Sequence, residues 1–120
     1  TDCPARRVGP AAGLAAYRDC EQWHRALIEY LRENRDLVED FMARMPGMSM
    51  RHVEATYLAW IDCRGLDVDD PAVFFDHHGV GLSSGTDFGA RGFVRLNFGC
   101  SRITLTRAFE RMEAALAYRR

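Results

Sequence analysis

Lysine is missing from the 120-residue sequence, and all 16 basic side chains are arginines. Lysine is the residue whose amine forms Schiff bases with carbonyl groups or acts as a general base once its pKa is lowered. Its absence excludes Schiff-base formation and general-base catalysis by an amine from the side chains of this sequence. The arginines keep their charge and are suited to binding carboxylates or phosphates.

Cysteine is scarce. The four cysteines are Cys3, Cys20, Cys63 and Cys100, and no two of them form a CxxC pair. Their spacing fits neither a zinc ribbon nor a disulfide framework. We therefore expect reduced thiols in a cytoplasmic protein.

The sequence also has little net charge and no long apolar run. Its formal net charge of -1 gives no general field that would attract nucleic acid or an anionic membrane. No apolar stretch reaches the roughly 18 residues of a membrane span. The N-terminus lacks the basic start and apolar run of a secretory signal. We expect a single cytoplasmic domain over residues 1–120, with neither nucleic acid nor membrane as a partner.

The pattern over residues 11–45 predicts a long helix, whose main part could be capped by Asp19 after a break near Tyr17. Apolar residues recur there at spacings of three, four or seven and make one stripe. The members of the stripe are Trp23, Leu27, Leu31, Val38, Phe41 and Met45. Pro46 and Gly47 end the pattern. Because this helix is long for a small domain, we expect it to join the domain to another part of a protein.

Residues 53–120 predict an α/β two-layer sandwich. Strands are predicted at 53–62, at the start of 80–92 and at 93–98, with helices near 70–78 and 104–120. The first strand is apolar on both faces, which is typical of a parallel or mixed sheet covered on both sides. We expect a small mixed three-stranded sheet with helices on one face. A dimer partner or a larger domain would cover the other face.

Arg95 lies in the middle of a strand that otherwise looks half-buried. Strand alternation places Val94 and Leu96 on the helix-covered face and Arg95 and Asn97 on the opposite face. An arginine fork there could hold a carboxylate or phosphate through two hydrogen bonds. A structural salt bridge to an acid of the same chain is the alternative.

A glycine-rich segment directly precedes this strand. It contains Gly81, Gly85, Gly89 and Gly92, together with Ser83 and Ser84. The segment could hold an anion beside Arg95, but no helix follows it, as a phosphate-binding loop would require. A long hairpin connection is the alternative. The adjacent His77 and His78 have no third ligand at metal-binding spacing, so we expect no metal site.

Three segments together resemble a known family. "ATYLAWIDCRGL", "GVGLSSGTDFGARGFVRLNFGCSRITL" and the last helix are similar to the C-terminal small domain of class I/II aminotransferases, which are fold type I pyridoxal-phosphate enzymes. The resemblance is strongest to the cystathionine β-lyase or C–S lyase branch. The predicted helix at 11–45 resembles that branch's helix between the large and small domains. Ser101 departs from the family pattern, in which proline is usual.

The resemblance implies a substrate site. Arg95 would bind the α-carboxylate of an amino-acid substrate, and the loop before it, with Ser84, Gly85, Phe88 and Gly89, would border the substrate entrance. Asn97, beside Arg95 on the same strand face, is a further substrate-binding candidate. The cofactor, pyridoxal phosphate, would be held by a lysine of a large domain that this sequence does not contain, so this chain would be inactive alone.

Two functions follow. The first is the C-terminal domain of a pyridoxal-phosphate-dependent C–S lyase, similar to cystathionine β-lyase, or of an aminotransferase. The second is a free-standing, non-catalytic module that uses the apolar sheet face to dimerise or to bind another protein. The sequence leaves the choice between lyase and transaminase open, because the residues that decide it lie in the large domain.

Overall fold

The computed structural model describes residues 5–119. The backbone divides between Tyr30 and Leu31 into two compact units, and each is described by itself. No helix within residues 5–119 has the length and apolar character needed to cross a bilayer.

The predicted helix at 11–45 is interrupted and forms two helices. Helix α1 spans Ala5–Asp19, and α2 spans Glu21–Arg44. The break falls at Cys20, whose carbonyl accepts the first hydrogen bond of α2 from the His24 amide at 3.0 Å. The sequence predicts this break near Tyr17, with Asp19 as the cap, and the structure places it slightly later, at Cys20.

The sheet has four strands: β1 at Ser49–Met50, β2 at Leu58–Asp62, β3 at Ser83–Ser84 and β4 at Phe93–Asn97. Their order is β1-β2-β4-β3, and every neighbouring pair is antiparallel. The α/β class is confirmed. The predicted mixed three-stranded sheet is corrected, because the sheet is antiparallel and has four strands. The short edge strand β1 has too few residues to show a sequence period.

The predicted strand at 53–62 begins five residues late, at Leu58. Thr56 has a φ of 71°, in the left-handed region that β-branched residues rarely adopt, and this bend interrupts the extended chain before β2. The strand β2 does not belong to a parallel sheet, because both of its neighbours are antiparallel to it. Ala59 and Ile61 are fully buried, whereas Trp60 is 38% exposed on the other face.

All helices of the 31–119 unit that pack on the sheet do so on one face, as predicted. Besides α2, these are α3 at Pro71–His77 and α4 at Arg102–Ala117. One core cluster joins Val38 and Phe41 of α2, Phe75 of α3, Leu105 and Met112 of α4, and the inner-face residues Ala59, Ile61, Val94 and Leu96. Phe41 also stacks on Phe109, with ring centroids 4.3 Å apart. We call the opposite face of the sheet the outer face.

Asn34 is the one polar residue buried in this core among the described residues. Its Nδ2 donates to the carbonyls of Phe98 and Cys100, both at 3.0 Å. Its Oδ1 accepts from Arg102 Nε at 3.3 Å, and Arg102 Nη2 lies 2.8 Å from Glu33 Oε2. Asn34 thereby joins α2 to the segment between β4 and α4.

The glycine-rich segment forms a hairpin connection between β3 and β4 that contains one turn of 3₁₀ helix, Gly85–Phe88. A Cβ on Gly85 would lie 2.3 Å from the Ala90 carbonyl oxygen and 2.6 Å from that of Phe93. Gly89 ends the turn with a φ of 76°. Glycine is therefore required at Gly85 for space and favoured at Gly89 for its backbone angle.

Replacing Asn34 by alanine should lower the free energy of unfolding by about 1–3 kcal/mol, because two buried carbonyls would lose their donor. Urea denaturation followed by circular dichroism would measure the change. Asp40, exposed on the same helix, is the matched control, and Asp40→Ala should stay within about 0.5 kcal/mol. An equal effect of the two substitutions would contradict a structural role for Asn34.

Gly85→Ala should destabilise the domain by about 1–3 kcal/mol, since the added methyl group would overlap two backbone oxygens. Gly81→Ala is the control, because a Cβ at Gly81 has no neighbour within 4 Å and its φ is not positive. Thermal unfolding of both variants would test this. A Gly85→Ala variant that unfolds at the temperature of Gly81→Ala would show that the loop is less tightly packed than described.

Candidate functional site

Arg95 lies at the centre of the outer face. It occupies the third position of β4, between the fully buried Val94 and the nearly buried Leu96, and its side chain points away from both. Its neighbours across the strands are Trp60 on β2 and Ser83 on β3. The orientation predicted from strand alternation is therefore confirmed.

Two contacts hold the Arg95 guanidinium group. Its Nη2 donates to Ser83 Oγ at a long 3.5 Å, and its Cζ lies 4.6 Å from the centre of the Phe88 ring. Among residues 5–119, no carboxylate pairs with it. The structural salt bridge considered above is thus not formed with any described acid.

Asp62 is an acid of the same outer face, and it is already paired. Its two oxygens accept from Arg64 Nε at 3.0 Å and Arg64 Nη2 at 2.7 Å. These hydrogen bonds from Arg64 hold the pKa of Asp62 below its usual value. Asp62 therefore remains ionised and bound to Arg64, so it is not available to pair with Arg95.

Three rings make up what we call the aromatic cluster: Trp60, Phe88 and Phe93. Trp60 stacks on Phe93 at a centroid distance of 5.5 Å and meets Phe88 edge-on at 5.9 Å. Phe88 is 53% exposed. A cavity of about 610 Å³ is lined by Trp60, Phe93 and residues from 49–55, but Arg95 does not line it. The cluster thus separates the arginine from that cavity.

The structure distributes the other predicted site residues differently. Ser84 pairs with the inward-facing Val94, and its Oγ accepts from the Thr86 amide at 3.3 Å. Ser84 therefore lies on the opposite side of β3 from Ser83. Gly85 starts the 3₁₀ turn that leads to Phe88.

Asn97 shares the outer face with Arg95 and is exposed. Its Oδ1 accepts from the Gly99 amide at 2.8 Å, so the side-chain oxygen stabilises the turn after β4. The binding roles of Asn97, Ser84 and Gly85 remain predictions. Ser83 was predicted only as a member of the glycine-rich segment, and Trp60 was not predicted in the site; neither was identified as a direct neighbour of Arg95. Their places beside Arg95 depend on the register between strands, which a single sequence does not reveal.

The described cysteines and histidines offer no second site. Cys20, Cys63 and Cys100 are free thiols, whereas Cys3 lies outside the described residues. Burial raises the pKa of Cys63 to about 12, so this thiol stays protonated and unreactive at neutral pH.

His78 donates through Nδ1 to the Phe74 carbonyl at 2.8 Å and ends α3. Within residues 5–119, no group of three potential metal ligands comes together.

Comparison with known proteins places these features in a family. OvoB, known from a crystal structure, matches 85% of this chain with a TM-score of 0.83 and 52% sequence identity, over 27% of its own chain. Cystalysin from Treponema denticola, whose crystal structure contains pyridoxal 5'-phosphate, matches 88% of this chain with a TM-score of 0.80 and 30% identity, over 28% of its own chain. Cystathionine β-lyase PatB of Bacillus subtilis (strain 168) is 34% identical over 109 residues, which are 86% of this chain and 28% of PatB.

Pyridoxal phosphate is thus the cofactor found among the relatives, as predicted. The residues of this chain do not fit a covalently held cofactor, because the sequence contains no lysine. We therefore assign no chemical step through pyridoxal phosphate to this chain.

The chain matches only part of each relative, so the activity of the whole relative is not assigned to it here. The chain spans 33% of the length of one curated relative and 26% of another. The matched part nevertheless includes nearly all of this chain, since residues 4–112 fit the family model described as aminotransferase class I and II. Together with the cystathionine β-lyase and C–S lyase relatives, this match confirms the predicted resemblance and its branch. The chain belongs to the aminotransferase class I and II family.

Proposed function

We propose that this chain is the substrate-carboxylate-binding part of a pyridoxal-phosphate-dependent C–S lyase, similar to cystathionine β-lyase, or of an aminotransferase. One observation carries the proposal. Arg95 presents its guanidinium group on the outer face, with a ring on one side, a hydroxyl at one nitrogen and no acid of residues 5–119 as a partner. An arginine in a half-buried strand is costly unless an anion meets it.

The chemistry of the fork favours a carboxylate. Two parallel N–H donors match the two oxygens of a carboxylate, and such a pair fixes orientation as well as position. Binding through the α-carboxylate would leave the α-carbon and side chain of an amino acid free to reach a cofactor held elsewhere. Asn97 lies two residues along the same face, and its amide nitrogen could donate a further hydrogen bond.

The contribution of this chain to the reaction is binding and orientation. Pyridoxal phosphate, when bound by a lysine outside this sequence, acts as an electron sink for reactions at the amino-acid α-carbon. We propose β-elimination of a thiol, or amino transfer, as the activity of the assembled enzyme. The large cofactor-binding domain, or a second copy of the chain in a dimer, would cover the outer face. The free thiols support a cytoplasmic location.

A second candidate function rests on a different observation. Trp60 is 38% exposed on the outer face, and the ring of Phe88, which meets it edge-on, is 53% exposed. Exposed aromatic residues on a sheet face are typical of a protein–protein contact. A non-catalytic module that dimerises or binds a partner protein through this face would use the same surface without chemistry.

The first proposal can be tested in a hybrid enzyme, in which this chain replaces the matching stretch of PatB. Arg95→Ala should raise the KM for cystathionine at least about tenfold, because a charged hydrogen-bonding pair is lost. Arg95→Lys should recover part of the loss, since a lysine keeps the charge but not the two-point contact. Pyruvate release would give kcat and KM for each variant.

Arg107→Ala is the matched control, because Arg107 is an exposed arginine on α4. It should leave KM unchanged. Equal KM values for Arg95→Ala and Arg107→Ala would contradict the carboxylate role of Arg95. A hybrid that folds and holds pyridoxal phosphate but eliminates no thiol would favour the second candidate, and sedimentation of the isolated chain would then be expected to show a dimer.

A further inference from the structure

We propose that Phe88 is a positioning residue that orients Arg95 for the substrate carboxylate. The glycine-rich segment would hold the Phe88 ring in the place where it contacts Arg95. The inference rests on the proposed function of Arg95 and assigns a role to a loop that this function alone leaves unexplained. The loop could otherwise be read as an anion-binding segment. The geometry indicates that it presents an aromatic ring instead.

An isolated arginine on a strand surface is poorly oriented. Its side chain has several rotatable bonds, and holding it in one conformation costs rotamer entropy. The only hydrogen bond recorded for the Arg95 side chain within residues 5–119 is the 3.5 Å contact to Ser83 Oγ, which is too long to fix the fork. The Phe88 ring, 4.6 Å from Arg95 Cζ, is therefore the main restraint.

Stacking on a ring suits this task because of where the donors lie. The five N–H groups of a guanidinium lie in its plane, so a guanidinium that stacks on a ring keeps these donors directed to the sides. Phe88 can thus hold Arg95 without occupying donors that a carboxylate needs. An acid in the place of Phe88 would also restrain Arg95, but it would fill the binding site.

Phe88 is itself held firmly by the loop. The Ala90 amide donates to the Gly85 carbonyl at 2.8 Å, and the Gly89 amide donates to Thr86 at 3.1 Å. Gly85 lets the turn pack against the backbone of Phe93, as the close Cβ distances show. The edge of Trp60 supports the ring from the side at 5.9 Å. Backbone bonds, close packing and a second ring therefore fix the position of Phe88.

Phe88 could instead touch the substrate directly, because 53% of it is exposed. The two roles differ in what happens when Arg95 is absent. A positioning residue acts only through Arg95, so its removal should have no further effect in an Arg95→Ala background. A substrate contact would keep its effect there.

The orientation can be measured on the 120-residue chain itself. Arginine side-chain Nε–H resonances report ring stacking, since a proton over a ring face is shifted upfield. We expect the Arg95 signal to be shifted in the natural chain and in Phe88→Tyr, and to return to the ordinary range in Phe88→Leu. The Arg107 signal is the internal reference and should not move. An unshifted Arg95 signal in the natural chain would overturn the proposal.

The functional consequence can be measured in the hybrid enzyme. Phe88→Leu should raise the KM for cystathionine about two- to fivefold at unchanged kcat, the size of an exposed cation–π contact. Phe88→Tyr should restore KM, and Phe88→Leu should add nothing to Arg95→Ala. Thermal unfolding should be nearly unchanged, because the ring is largely exposed.

The outcomes separate the two proposals. If Arg95→Ala raises KM and Phe88→Leu does not, the positioning role is wrong and the carboxylate role stands. If Phe88→Leu raises KM equally with and without Arg95, Phe88 contacts the substrate and positions nothing. If Arg95→Ala has no effect on KM, the proposed function fails, and the positioning role fails with it.

Discussion

The buried amide of Asn34 connects the two layers of the fold at the place where the sheet ends. Its nitrogen bonds the carbonyls of Phe98 and Cys100, and its oxygen receives Arg102 at the start of α4. A buried amide must satisfy its donors and acceptors, so only one arrangement of α2, β4 and α4 meets its requirement. Apolar packing is non-directional, whereas the Asn34 hydrogen bonds add defined directions between α2 and the segment after β4.

Fixing the end of β4 also fixes the face on which Arg95 lies. The strand is paired on both sides, by β2 and by β3, and its inner residues Val94 and Leu96 are buried. A slip of one residue would bury Arg95 in the core and expose both apolar side chains. The core therefore maintains the orientation of Arg95 by making a register shift of one residue unfavourable.

Sequence periods were enough to predict the helical layer, the strand β4 and the direction of Arg95, because each depends on a residue and its near neighbours. They were not enough where strands from distant segments must align. Ser83 and Ser84 differ by one position, and only the pairing with β4 places Ser83 beside Arg95. Asn34 did leave a signal, since it fills the gap between Leu31 and Val38 in the apolar stripe of α2. The bend at Thr56 left none, because threonine ordinarily favours a strand.

Arg64 and Arg95 show what an arginine on this face needs. Each lies over a phenylalanine ring, with Arg64 Cζ 5.0 Å from the centre of Phe93 and Arg95 Cζ 4.6 Å from that of Phe88. Arg64 also binds both oxygens of Asp62, whereas Arg95 has no acid among residues 5–119. Arg64 thus has both contacts within the chain: an aromatic ring against its guanidinium group and a carboxylate at its N–H donors. Arg95 has a ring and one long hydrogen bond to Ser83 Oγ, and no acid of residues 5–119 binds its N–H donors.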